Sequence, residues 1–252
     1  MTTENEAPDA APGGAGADQS RVSGQRLIAK TSVVSGMTLL SRILGLVRDV
    51  VFARFFGASL VMDAFLVANR IPNMLRRFFA EGAFSQGFVP VMARYRERHG
   101  HEDAREFVDA VAGTFGLFLF LVTLAGVVAT QLLVAIVAPG FIGEDGRFEL
   151  ATLMLRFTFP YLFFVSLTAF AGGILNTYGR FGVPAFTPVI LNVVLIAAAV
   201  WLSPRLEEPG MALAYAVLIA GLCQLLFQVP FLMRIHALPR PKWGLQHEGV
   251  RR

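Results

Sequence analysis

The sequence predicts an all-α integral membrane fold of six transmembrane helices, the first two of them polar along one face. Three observations lead there. Apolar residues make up 55% of the 252 and charged residues only 16%, where a soluble domain carries about a quarter. Mean hydropathy is +0.58. Several apolar runs reach the roughly 20 residues that a spanning helix needs. The 23 phenylalanines suit lipid-facing and helix-packing surfaces.

Taken in order, residues 1–24 are rich in Ala, Gly, Pro and acids and nearly free of large apolar side chains. Such a segment cannot bury enough surface to offset its ordering entropy, so a disordered tail is expected. It lacks the basic start and apolar core of a signal peptide, which leaves the first hydrophobic segment as an uncleaved helix. The spans are expected at about Leu27–Phe55, Leu60–Met92 with an interruption near Pro72, Phe107–Val137, Leu150–Leu175, Pro184–Leu202 and Met211–Met233. Residues 25–235 would form one six-helix unit and 236–252 a cytoplasmic tail or linker. Spans three to six are plainly apolar; the first two are too polar for ordinary lipid-facing helices.

Pro72, Pro160 and Pro188 lie within apolar runs, where proline breaks the hydrogen-bond ladder and kinks a helix. Such kinks can form cavities or hinges, or simply reflect the higher proline content of membrane helices. Ala171, Gly172 and Gly173 allow two helices to approach closely.

Orientation follows from the loop charges. Arg21, Arg26, Lys30, Arg94, Arg96, Arg98, Arg105, Arg180, Arg234, Arg240, Lys242, Arg251 and Arg252 fall on one side, and only Arg147 and Arg205 on the other. The positive-inside rule places both termini in the cytoplasm. The same excess accounts for the formal charge of +4 without any nucleic-acid partner. A single cysteine, Cys223, excludes a disulfide framework and a Cys-based metal site. His99, His101, His236 and His247 fall in predicted loops or tails, and no metal site is expected from them.

Five arginines remain inside the first two spans: Arg42, Arg48, Arg70, Arg76 and Arg77. Arg54 and Arg156 sit near helix ends, where a long side chain reaches the headgroups. Arg42, by contrast, lies roughly 22 Å into its helix at about 1.5 Å per residue. Five mid-span arginines facing lipid would cost on the order of 10 kcal/mol. They must therefore face protein or water. The spacing agrees. Thr38, Ser41, Arg42, Gly45, Arg48 and Asp49 share one face of the first helix, as Asp63, Arg70, Asn73, Arg77 and Glu81 share one of the second, with Arg76 on its flank. Leu39, Leu40, Ile43, Leu44 and Val47 take the other side of the first helix. Asp49, Asp63 and Glu81 leave a surplus of two positive charges. That surplus suits an anion-binding cavity, since guanidinium matches phosphate oxygens in a bidentate geometry that lysine lacks. The other reading is a structural ion-pair network.

At this stripe the sequence resembles a known family. SRILGLVRDVVFARFFGAS from Ser41 and DAFLVANRIPNMLRRFFAEGAFSQGFVPV from Asp63 are similar to the start of the MurJ (MviN) family. FPYLFFVSLTAFAGGILNTYGRFGVPAFTP from Phe159 matches its fourth and fifth spans. The resemblance covers Leu27 to the C-terminus. It implies a lipid II flippase of peptidoglycan synthesis, one lobe of a two-lobe fold in the multidrug/oligosaccharidyl-lipid/polysaccharide exporter superfamily. It further implies a bacterial inner-membrane location, a cavity that binds the pyrophosphate and sugar headgroup, and transport by alternating access. Arg42, Arg48 and Arg76 match the family's cavity arginines. Asp49, Asp63, Asn73, Arg77 and Glu81 fall in the same motifs as supporting or gating residues, and Arg70 stands where either basic residue is expected. No cofactor is expected, an ion gradient or membrane potential driving transport.

The family has fourteen spans in roughly twice this length, so the chain is expected to hold the N-terminal lobe alone. Its partners would be lipid II, the membrane and a second lobe carrying a further cavity arginine, the proposed sodium site and the lipid-tail groove. Three other readings remain: another lipid-linked oligosaccharide, polysaccharide or drug exporter; an enzyme on polyprenyl pyrophosphate; and a non-transporting scaffold. A drug exporter favours an aromatic, acidic cavity. A hydrolase needs a positioned base or a metal, and no histidine lies in a span. A scaffold leaves the surplus charge unexplained.

With six spans and a cytoplasmic N-terminus, a cysteine placed at Ser59 should react with an impermeant maleimide from outside intact cells. One placed at His99 should react only after the membrane is opened; the reverse pattern would invert the topology.

Overall fold

The computed structural model describes residues 14–78, 83–143 and 146–240, and within them every regular element is helical. The helices are α1 (Gly14–Phe55), α2 (Leu60–Arg76), α3 (Ala83–Val128), α4 (Thr130–Val137), α5 (Arg147–Thr158), α6 (Tyr161–Thr177), α7 (Gly182–Ala197) and α8 (Met211–Arg234). Four segments are long and apolar enough to cross a membrane: Arg105–Val128, Arg147–Thr177, Gly182–Arg205 and Met211–Arg234. They correspond to the third to sixth expected spans.

Several expectations need correction. Helix α1 begins at Gly14, so residues 14–24 of the expected tail are helical backbone. A helix needs only its own backbone hydrogen bonds to continue outward from a packed segment, here in spite of Gly14, Gly16 and Gly24, which disfavour it. Residues 1–13 and 241–252, and with them His247 and most of the expected C-terminal tail, lie outside the described residues. So does Glu81.

The expected loop around Arg94–Arg105 is helix, because α3 runs unbroken from Ala83 to Val128. Polarity there marks a part of the helix unsuited to lipid, not its end. The third expected span is itself divided, α3 stopping at Val128 and α4 resuming at Thr130.

The interruption expected near Pro72 is also displaced. Helix α2 continues through Pro72 to Arg76, and a π-type turn follows at residues 77–78. Pro72 lacks the N–H that would bond the Ala68 carbonyl four residues back. Thr158 of α5, fully buried, supplies the missing donor, its Oγ1 donating to Ala68 O at 3.1 Å. Pro188 is compensated in the same way from within its own helix: Thr187 Oγ1 donates to Pro184 O at 2.8 Å. Only Pro160 breaks a span, in the turn at residues 159–160 between α5 and α6.

Side-chain packing divides into two clusters. Phe65, Ile71, Met154, Leu155, Leu162, Leu213 and Val217 join α2, α5, α6 and α8. Phe88, Met92, Phe107, Phe170, Leu175 and Leu232 join α3, α6 and α8. Within a bilayer such contacts act mainly by close packing, since lipid tails are as apolar as leucine. Gly126 shows the tolerance: a Cβ there would overlap the Phe159 ring, so glycine lets α3 cross the α5–α6 break. Helix α1 lies outside both clusters for most of its length and packs chiefly along α7. Leu39, Ile43, Leu46 and Val50 remain exposed on it.

Replacing Thr158 by the near-isosteric valine should leave the Ala68 carbonyl unpaired and lower stability by about 1–3 kcal/mol. The thermal unfolding midpoint in detergent checks this; an unchanged midpoint would show that Ala68 finds another donor.

Candidate functional site

Helices α1 and α2 carry the arginine stripe. They are joined by a turn in which Gly57 takes φ +58°, a left-handed conformation that glycine adopts without strain. Ser59 then caps α2, its Oγ accepting from the Met62 N–H at 3.3 Å. Just inside this turn the Phe52 and Phe65 rings meet edge to face at 5.9 Å. Beyond that contact the helices part company. Helix α1 follows α7, and α2 follows α5.

Arg48 is anchored to two side chains. Its Nε and Nη2 both donate to one carboxylate oxygen, Asp49 Oδ1, at 3.0 and 2.8 Å. Its Nη1 donates to Asn192 Oδ1 of α7 at 3.1 Å, and its charge lies 5.9 Å from the Phe52 ring centroid. Three N–H groups are thus used of the five a guanidinium carries. The Arg48 side chain is 29% exposed and that of Asp49 63%. An ion pair this accessible contributes at most about 1 kcal/mol. Water or a stronger anion can exchange for Asp49.

The other stripe residues are placed differently. Arg42, Arg70 and Arg77 are exposed, and among the described residues no hydrogen bond or ion pair reaches them. Arg76 is half-buried and has a partner. Asn73 is turned back on its own helix, its Nδ2 donating to Asn69 O at 2.8 Å. Asp63 faces Arg147 at 3.9 Å, not another member of the stripe. The structure therefore brings Arg48 and Asp49 together. It sends Asp63 to a cation at the start of α5.

Two polar groups escaped notice in the sequence. Asn192 is buried, and besides accepting from Arg48 its Nδ2 donates to Ser41 O of α1 at 3.1 Å. A lone amide in the apolar run PVILNVVLIAAAV was the available signal, because such groups in spanning helices seek polar partners. Asp109, only 4% exposed, accepts from the Arg240 backbone N–H at 2.7 Å and so fastens the segment after α8 to α3. Its signal was weaker, since it falls near the polar end of a span. A cavity of about 610 Å³ borders α1 near Val33 and Met37 and is walled by Phe181, Phe186 and Phe227. It is apolar, and none of the five stripe arginines lines it. No group of three or more His, Cys, Asp or Glu side chains among the described residues could hold a metal.

Comparison with known proteins yields consistent matches. A family model described as lipid II flippase MurJ matches residues 52–252. The probable lipid II flippase MurJ of Vibrio cholerae is 48% identical over 233 residues, covering 90% of this chain and 44% of its own length. That of Haemophilus influenzae is 49% identical over 221 residues, covering 85% of this chain and 43% of its own. The lipid II flippase MurJ of Burkholderia cenocepacia is 47% identical, with 87% and 43% covered. A solved structure of lipid II flippase MurJ in an inward closed conformation superposes with a TM-score of 0.68 at 29% identity. The match covers 86% of this chain and 44% of that one. The chain spans a little under half the length of the curated relatives it matches.

The Asp63–Arg147 contact is long and accessible, so a double-mutant cycle (Asp63→Asn, Arg147→Gln) should give a coupling below about 1 kcal/mol. It should fade in molar salt. A coupling that is larger and insensitive to salt would contradict the exposure of this pair.

Proposed function

Since the chain belongs to the lipid II flippase MurJ family, we propose that it forms the arginine-bearing lobe of a flippase. Its cargo would be the anionic, undecaprenyl-pyrophosphate-linked peptidoglycan precursor, moved from the cytoplasmic to the periplasmic leaflet of the bacterial inner membrane by alternating access. Both ends of this chain then face the cytoplasm. The work is transport and not catalysis, and a second lobe completes the path.

One observation carries this reading. Arginines recur along α1 and α2, yet much of their charge is left unspent within the lobe. Arg48 keeps two N–H groups open, its carboxylate partner is mostly exposed, and Arg42 is exposed. Asp63, which could have neutralised the stripe, faces Arg147. A network built only for stability would pair its charges, because an unpaired buried charge is costly. A diphosphate supplies the missing negative charge, and guanidinium meets its oxygens in a two-point geometry. In this assignment Arg42, Arg48 and Arg76 contact the diphosphate. Asp49, Asp63, Arg70, Asn73, Arg77 and Glu81 support or gate the path. The match to lipid II flippases over most of the chain favours this cargo over the drugs or other glycolipids of related exporters.

In the intact gene product, Arg42→Ala, Arg48→Ala and Arg76→Ala should each abolish lipid II translocation in a depletion-complementation assay, with membrane insertion unchanged. Lysine at the same positions should restore only part of the activity, because the charge survives and the fork is lost. Normal flipping by all three alanine variants would remove these residues from substrate binding.

A further inference from the structure

Asn192 lies on α7, the helix along which α1 packs, and is only 5% exposed. Its amide is used at both ends. Oδ1 accepts from Arg48 Nη1 at 3.1 Å, and Nδ2 donates to the Ser41 carbonyl at 3.1 Å. The direction is unambiguous, since arginine offers only donors and a backbone carbonyl only an acceptor. Gly45 sits between the two anchor points on the same face of α1. A Cβ added there would lie 3.9 Å from Asn192 Nδ2, so the amide nests against a part of α1 with no side chain of its own.

We propose that Asn192 is a positioning residue for anion binding: a neutral tether that aims the Arg48 guanidinium without cancelling its charge. This rests on the proposed diphosphate-binding role of Arg48. The two partners of Arg48 divide the work by their chemistry. Asp49 neutralises the guanidinium but is mostly exposed and exchangeable. Asn192 is buried and uncharged, so it can stay bound while a diphosphate takes the place of Asp49. A carboxylate at the same point would hold the guanidinium equally well, but it would compete with the substrate for the charge. The amide accepts from arginine and donates to a carbonyl through two separate atoms, and it remains neutral throughout.

The test uses Asn192→Asp, which is nearly isosteric, and Asn192→Ala, with farnesyl diphosphate binding to the purified full chain in detergent as the readout. Asn192→Asp should weaken binding about tenfold or more, and Asn192→Ala by a smaller factor. Both effects should vanish in an Arg48→Ala background, as expected when one residue acts through another. A residue that merely fills space would give wild-type affinity with Asp. That result would overturn the tether, as would a loss that persists without Arg48. The alanine variant serves in place of the Asp variant if the latter does not fold. If Arg48→Ala itself binds farnesyl diphosphate like wild type, the anion-binding role of Arg48 falls first. If Arg48→Ala weakens binding and neither Asn192 variant does, the tether alone falls.

Discussion

A guanidinium held at mid-span in hydrocarbon would cost about 2.5–3.5 kcal/mol even on lenient scales, and α1, which is not among the four segments apolar enough to cross a membrane, carries Arg42 and Arg48 along its length. The arrangement of the lobe follows from how this cost is met. Arg48 is met by three hydrogen bonds, two to a neighbouring carboxylate and one to an amide on another helix. Arg42 is met by none among the described residues and stays exposed. Helix α1 leaves most of its surface outside the two packed clusters, and the buried Asn192 of α7 bonds to it from both ends of its side chain. A helix buried on all sides would have had to neutralise its arginines. This one packs along α7 on one side and leaves Leu39, Ile43, Leu46 and Val50 exposed on the other.

The apolar spans were legible in the sequence because their signal is local: a long hydrophobic run has few other fates. Segments 147–177, 182–205 and 211–234 follow the expected boundaries closely, and 105–128 matches the start of its expected span but ends nine residues short of Val137. Polar helix was less legible. The stretch from Arg94 to Arg105 reads as a loop by hydropathy, yet nothing in it stops a helix, and α3 runs through it. Pro72 misled for a different reason. Its donor is replaced by Thr158, 86 positions further along the sequence, a long-range compensation that no window of neighbouring residues reveals.

The stripe itself was recognisable from spacing and charge, since arginine is so costly in a membrane that its presence needs a reason. The pairing within it was not. Asp63 falls on the same sequence face as Arg70 and Arg77 but meets Arg147, because the packing of α2 on α5 carries its first turn towards the start of α5. Asn192 carries no charge and belongs to no motif. Its part becomes visible only when α7 is laid against Gly45 and the amide is found between Ser41 and Arg48.

The two compensated prolines differ in ownership. The carbonyl freed by Pro188 is served by Thr187, a resident of the same helix, while the adjoining Thr187 carbonyl accepts from Gln224 of α8 at 2.7 Å. The carbonyl freed by Pro72 is served by Thr158 of another helix, so that joint is interlocked with its neighbour. A shift of α2 against α5 at this joint would break the bond from Thr158 to the Ala68 carbonyl. Arg70 and Arg76 ride on the interlocked helix, and any motion that swings them is thereby geared to the core of the bundle.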